Sequence, residues 1–187
     1  MSALTEATPA ERHRIVASGF AEQVAATADW SARSPVPEWT ARDVVGHLTG
    51  WLPEFLAAGG VALRSVTSVD EAPTTAWTEH AAAVQELFDA DDADREFTHP
   101  YLGTSSLEST IDRIYTADVF MHTWDLARAG ARRPDLDPEF ATVLLDGLRQ
   151  MEGVLRSSGQ YGPAHAVPGD ADPVVALAAF IGRDPNF

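Results

Sequence analysis

A run of side chains from Leu107 to Asp125 constrains this chain most. Leu107, Ile111, Ile114, Tyr115, Asp118, His122 and Asp125 are spaced by four, three, one, three, four and three residues. Side chains at those intervals share one face of an α-helix. The face is apolar where it begins and carries an acid, a histidine and a second acid in its later turns. A carboxylate one turn before a histidine, pointing into a core, is costly unless something satisfies it. A second stripe, Val44, His47, Leu48, Trp51 and Phe55, carries another inward histidine. Carboxylate oxygen and imidazole nitrogen are both zinc-type ligands, so a divalent metal held by His47, Asp118 and His122 would satisfy all three groups. The alternative is a dry polar cluster, with His47 bonded to a carbonyl and His122 to Asp118. Arg113 and Arg128 do not sit one turn from Asp118 on its face, so neither is its natural partner. Asp125 reads as the acceptor that holds the His122 imidazole tautomer, or else as a surface partner of Arg128.

The rest of the pattern is helical. Thr8-Pro9-Ala10-Glu11 has capping-box form and opens a helix with Val16, Phe20 and Val24 as its ridge. Two tryptophans, Trp30 and Trp39, bracket a proline-bearing loop. Thr40 caps the His47 helix, with Asp43 at its positive end, and Pro53 predicts a kink or break near Trp51. A third helix is expected over 75–90, with Trp77, Ala81, Val84 and Phe88 inward. FTHPYLG (97–103) reads as an irregular stretch, with at most one extended piece. Ser105-Ser106-Leu107-Glu108 reads as a capping box that opens the Asp118 helix. Asp137-Pro138 starts a helix with Phe140, Leu144, Leu148, Met151 and Leu155 on its core side. A Gly/Pro loop follows from Arg156 to Ala171, and Asp172-Pro173 caps a last short helix ending at Gly182. With no convincing alternating strand, the expectation is one all-α domain over 1–187, an up-and-down bundle of four or five main helices with additional short ones.

Charge and composition remove whole classes of function. The net charge of −15 leaves no basic surface for nucleic acid or an anionic membrane. All 13 basic residues are arginine and cysteine is absent, so Schiff-base lysine, thiolate nucleophiles and disulfides are excluded. The first residues lack a basic region followed by an apolar one, and the longest apolar run, Val174 to Ile181, is too short to span a bilayer. The expected location is the cytoplasm. The expected partner is a small-molecule substrate, and a homodimer is compatible with the sequence. No G-x-S-x-G elbow and no Gly-rich phosphate loop is present. His13, His80, His99 and His165 lie in polar or loop contexts.

At this point the residues resemble a family. PVPEWTARDVVGHLTGW is similar to the Pro-x-Pro-x-Trp signature of the DinB-like superfamily, and most of all to the mycothiol-dependent maleylpyruvate isomerase N-terminal domain. TADVFMHTWDLARAGARRPDLDPE resembles that family's acid-x-x-x-His-x-Trp-Asp-Leu-Ala block. The closing YGPAHAVPGDADPVVALAAFIGRDPNF looks like the end of an actinobacterial metal-binding subgroup. The resemblance implies a DinB-like four-helix bundle with a divalent metal on His47, Asp118 and His122, zinc foremost, with nickel, iron or manganese open to the same donors. It also implies mycothiol as thiol cosubstrate and a thiol-dependent transferase or isomerase. The isomerase has a glutamate where this chain has Asp118, and a second domain that a chain of this length does not carry, so its own activity is not carried over. Hydrolysis by metal-activated water and a non-catalytic, stress-related metal- or ligand-binding role are the alternatives. Asp125, His99 and Tyr115 are the candidates for an acid or base beside the open metal position.

Overall fold

In the computed structural model the chain is mostly helical. The structure describes residues 2–159 and 161–187, so Met1 and, within the expected 156–171 loop, Gln160 lie outside it. A one-turn helix α1 (Ala3–Glu6) precedes α2 (Pro9–Ala26), α3 (Ala41–Ala58) and α4 (Pro73–Phe88). A hairpin, β1 (Glu96–His99) and β2 (Gly103–Ser106), leads into α5 (Leu107–Ile111), a π-helical turn over Asp112–Thr116, and α6 (Ala117–Ala129). Helices α7 (Pro138–Gln150), α8 (Glu152–Ser158) and α9 (Pro173–Phe180) complete the order.

Two of the starts follow directly from side-chain chemistry. Thr8 accepts from Glu11 N while the Glu11 carboxylate accepts from Thr8 N, and Thr40 and Asp43 do the same for α3. Each reciprocal pair satisfies two backbone donors that a helix start would otherwise leave unpaired. The long helices pack as a ring, α2 on α4, α4 on α3, α3 on α6 and α6 on α2, which puts α2 and α3 at opposite corners. Phe20, Leu48, Leu52, Leu56, Trp77, Ile111, Tyr115 and Leu126 fill the centre. Each such side chain contributes about 1.5–3 kcal/mol by leaving water. Helices α7 and α9 pack on each other and cover the outer face of α6 through Phe120, Met121 and Trp124.

The structure departs from the sequence reading in several places. Pro53 does not break α3, which runs unbroken from Ala41 to Ala58. Fully buried Leu52 and Leu56 flank the proline, and tertiary packing of an apolar face outweighs the loss of one backbone bond. FTHPYLG forms a hairpin with neighbouring residues, pairing Phe97 with Ser105 and His99 with Gly103. Gly103 supplies the positive φ of +74° that the turn requires. Phe97 locks the hairpin down by lying over Gly59, where a Cβ would stand 2.2 Å from the ring. The cap of α5 is Ser106, one residue later than read: it is the last residue of β2, and its side chain accepts from Ser109 N. The expected continuous helix contains the π turn, a one-residue insertion that rotates the later stripe. Helix α7 stops at Gln150, leaving Met151 exposed and Leu155 on α8, which occupies the start of the expected 156–171 loop. His13 and His80 are fully buried rather than in polar surroundings.

Candidate metal centre

Helices α3 and α6 are neighbours, and their inward stripes meet at His47, Asp118 and His122. One ligand atom from each residue lies within 4.8 Å of the others, the one such trio of histidine and acid side chains found among the described residues. His47 Nε2 is 3.0 Å from Asp118 Oδ2. His122 Nε2 is 3.5 Å from Asp118 Oδ1. Donors bonded tetrahedrally to zinc at about 2.0–2.1 Å stand about 3.3–3.4 Å apart. The trio could hold a divalent ion once its side chains draw in from separations of up to 4.8 Å, and its donor set, two imidazoles and one carboxylate, is of the type that divalent ions take.

Exposure is graded across the three. The side chain of His47 is 31% exposed, that of Asp118 17% and that of His122 6%. The solvent side of the cluster is thus the His47 side. Trp39, carried by the loop before α3, lies over both imidazoles at ring separations of 5.0 Å and 5.8 Å. The loop is tied by Ala41 N to Ala32 O and by Ser34 N to Trp39 O, which fixes where that indole stands. From α3 itself, Trp51 donates its indole N–H to Asp118 Oδ2 at 3.0 Å.

Behind the trio lies a second polar layer. His122 Nδ1 is 2.8 Å from Asp125 Oδ2, and Asp125 is wholly buried. Asp125 pairs not with Arg128 but with Arg183, whose Nε and Nη2 reach its two oxygens at 2.9 to 3.2 Å. Arg183 Nη1 donates to Ile181 O at 3.1 Å. His122 thus presents Nε2 toward Asp118 while its other nitrogen is held, the arrangement that orients a metal-ligating imidazole.

Electrostatics agrees with this geometry. Burial alone would raise the Asp118 pKa, but His122, His47 and the Trp51 N–H outweigh it and hold it below the ordinary value. Burial alone would lower that of His122, but Asp118 and Asp125 outweigh it and raise it. Asp125 lies below its ordinary value because His122 and Arg183 outweigh its burial.

The other acid–base candidates sit elsewhere. Tyr115 is fully buried, donates to Leu48 O at 3.2 Å, and has its pKa pushed up by burial and by Asp118. His99 is on β1, stacked on Phe55 at 4.1 Å. Sequence reasoning assigned no role at the site to Trp39, Arg183 or Tyr161, although Trp39 is the tryptophan of the Pro-x-Pro-x-Trp segment. Tyr161 lies near enough to Asp118 and Arg183 to feel both charges, and burial, then Asp118, pushes its pKa up to about 12. Trp51 had a signal, since it follows His47 by one turn on the same stripe. For Arg183 and Tyr161 the one signal was their place in the closing segment that resembles a metal-binding subgroup; no spacing points to their contacts, which are made across the fold.

No solved structure gives a significant match to this fold. Two relatives from Mycobacterium tuberculosis do match the sequence: "Uncharacterized protein MT0763" of strain CDC 1551 / Oshkosh and "Uncharacterized protein Rv0738" of strain H37Rv. Each is 30% identical over 152 residues, covering 80% of this chain and 82% of its own. Residues 13–127, which contain His47, Asp118, His122 and Asp125, match the family described as the mycothiol maleylpyruvate isomerase N-terminal domain. That stretch is more than half of the chain and reaches from within α2 to within α6, taking in the candidate ligands, so the chain belongs to the mycothiol maleylpyruvate isomerase N-terminal domain family.

Proposed function

We propose that this protein binds a divalent metal, zinc foremost, through His47, Asp118 and His122, and that it uses the site for thiol-dependent transfer or isomerisation of a small molecule with a mycothiol-type thiol as cosubstrate. The observation that carries the reading is the convergence of three ligand atoms within 4.8 Å from two packed helices. Three protein ligands leave a fourth position open, the pattern of catalytic rather than structural zinc. When bound, such an ion lowers the pKa of a coordinated thiol, so that it is ionised at neutral pH.

The chain's own residues define what enters. It has no cysteine, so the sulfur must come from outside. His47, with 31% of its side chain exposed, borders the open side. Trp39 and Trp51 flank that side with indole rings, which limit water and offer apolar contact to the body of a ligand. Asp118 supplies the negative charge that offsets the ion's. Asp125 holds Nδ1 of His122, leaving Nε2 for ligation.

The test is metal content by elemental analysis, together with calorimetric titration of mycothiol into metal-loaded and metal-stripped protein. About one equivalent of zinc, and thiol binding only when it is present, is the expected outcome. Protein that takes up no zinc, nickel or manganese overturns the metal reading. Metal uptake without thiol affinity overturns the thiol-dependent activity and leaves a metal-binding bundle.

A further inference from the structure

We propose that the C-terminal segment completes the metal centre, with Arg183 acting as a positioning residue that sets His122 through Asp125. This inference rests on the metal reading above and goes beyond it. The family match ends at residue 127, and Arg183 lies 58 residues beyond Asp125. The stretch that carries the ligands and Asp125 therefore lacks the group that fixes Asp125.

The geometry is specific. The Arg183 guanidinium meets Asp125 side-on, Nε at 3.0 Å from Oδ1 and Nη2 at 2.9 Å from Oδ2. A planar fork of this kind fixes the plane of a carboxylate as well as its place. Asp125 Oδ2, so fixed, faces His122 Nδ1 at 2.8 Å. Arg183 is itself held, since Nη1 donates to Ile181 O and the residue is 7% exposed. Each link has one rotamer's worth of freedom removed by the next.

The segment's path explains why Arg183 arrives there. Helix α9 ends at Phe180, and Gly182 turns the chain with a φ of +91°. Gly182 also presses against the backbone of Gly162, where a Cβ would stand 2.6 Å from the Gly162 Cα. Arg156 ties the same crossing by donating to Gly162 O and, at 2.7 Å, to Phe180 O. One glycine-on-glycine contact thereby delivers Arg183 to Asp125, and the residue before Gly162 is Tyr161, which feels the Asp118 charge. A side chain at Gly182 would force the two segments of this clasp apart.

The experiment compares full-length wild type, Arg183→Met, Arg183→Lys, Gly182→Ala and the surface control Arg149→Met. It reads zinc affinity by chelator competition and the visible spectrum of the cobalt(II)-substituted protein. Outer partners of metal-ligating histidines are worth about 10–100-fold in affinity. Arg183→Met and Gly182→Ala are expected to weaken zinc by at least tenfold and to shift the cobalt bands. Arg183→Lys, which keeps the charge but not the fork, is expected to fall between them and wild type. Arg149→Met should match wild type. A merely structural role would lower the melting temperature and leave the cobalt bands of the folded fraction unchanged. Should Arg183→Met not fold, Arg183→Lys decides, since wild-type affinity and spectrum in it overturn the proposal. Wild-type protein that binds no zinc overturns the metal reading itself, whereas zinc binding that is indifferent to Arg183 and Gly182 overturns only this inference.

Discussion

The indole N–H of Trp51 donates to Asp118 Oδ2 at 3.0 Å, the same oxygen that faces His47 Nε2 at 3.0 Å. Two residues one turn apart on α3 thus converge on one oxygen of α6. An indole N–H is a donor only, so it favours the ionised carboxylate that a metal also needs. Trp51→Phe keeps the ring and removes the donor. The expected result is a several-fold loss of zinc affinity and a loss of about 1 kcal/mol of apo stability, the usual net value of one hydrogen bond. Chelator competition and denaturant titration read the two effects separately, and unchanged zinc affinity would show that the bond serves the fold alone.

Asp118→Asn preserves shape and removes charge. A neutral amide is easier to bury than a carboxylate, so the apo protein should keep its cooperative melting. Zinc affinity should fall by orders of magnitude, because the one anionic donor of the trio is gone. Wild-type stoichiometry and affinity in this variant would make Asp118 a buried pairing partner of His47 and nothing more.

Much of this centre was legible because it lies on two periodic helices. The stripes 44–55 and 107–125 put His47, Asp118 and His122 on inward faces, and the Thr8 capping box and the Thr40 cap marked where two helices start. What was hidden depends on contacts distant in sequence. His13 is buried because its ring stacks on Phe88 at 4.9 Å and lies 5.9 Å from Tyr115, and no local pattern announces either. The hairpin strands are four residues each, too short for alternation to speak, and Pro100 disguises the turn. Arg183 reaches Asp125 from the segment after α9, which packs on α7 and lies far from Asp125 in sequence, so neither spacing nor charge pattern could pair them.

Acid should destabilise the apo protein well above the carboxylate range. Burial lowers the pKa of His13 from 6.5 to about 3, and that of His80 to about 4. Repulsion from Arg14, and from His80 once that is protonated, adds to the effect of burial on His13. Both histidines stay neutral in the fold and become protonated in the unfolded chain, so the unfolded state binds more protons below pH 6.5. Stability from these groups is fully present above that value and is lost as pH falls toward 4 and then 3, at up to about 1.4 kcal/mol per pH unit for each. The raised pKa of His122 works the other way, adding stability as pH falls through its own value. The net expectation is falling apo stability from pH 6.5 to 4, with a shallower slope in His80→Leu. Denaturant midpoints across that range, flat in wild type, would contradict the two buried neutral histidines.

Metal and proton compete for the same nitrogens, and that competition separates a metal site from a dry cluster. Imidazole ligates only when neutral, and Asp118 and Asp125 favour the protonated form of His122. Zinc should therefore be released as pH falls toward and below about 6. A metal at a hundredfold excess over its dissociation constant stabilises the folded state by about 2.7 kcal/mol. For a chain of this size that corresponds to a rise in Tm of roughly 5–10 °C, at about 2–4 °C per kcal/mol. A chelator at neutral pH should abolish the rise in wild type and do nothing to His47→Ala or His122→Ala, which lack a donor. If wild-type protein, metal-free by elemental analysis, melts at one temperature with and without added zinc, nickel or manganese, the trio is a satisfied polar cluster. Its hydrogen bonds from His47 and Trp51 to Asp118 would then be its whole function.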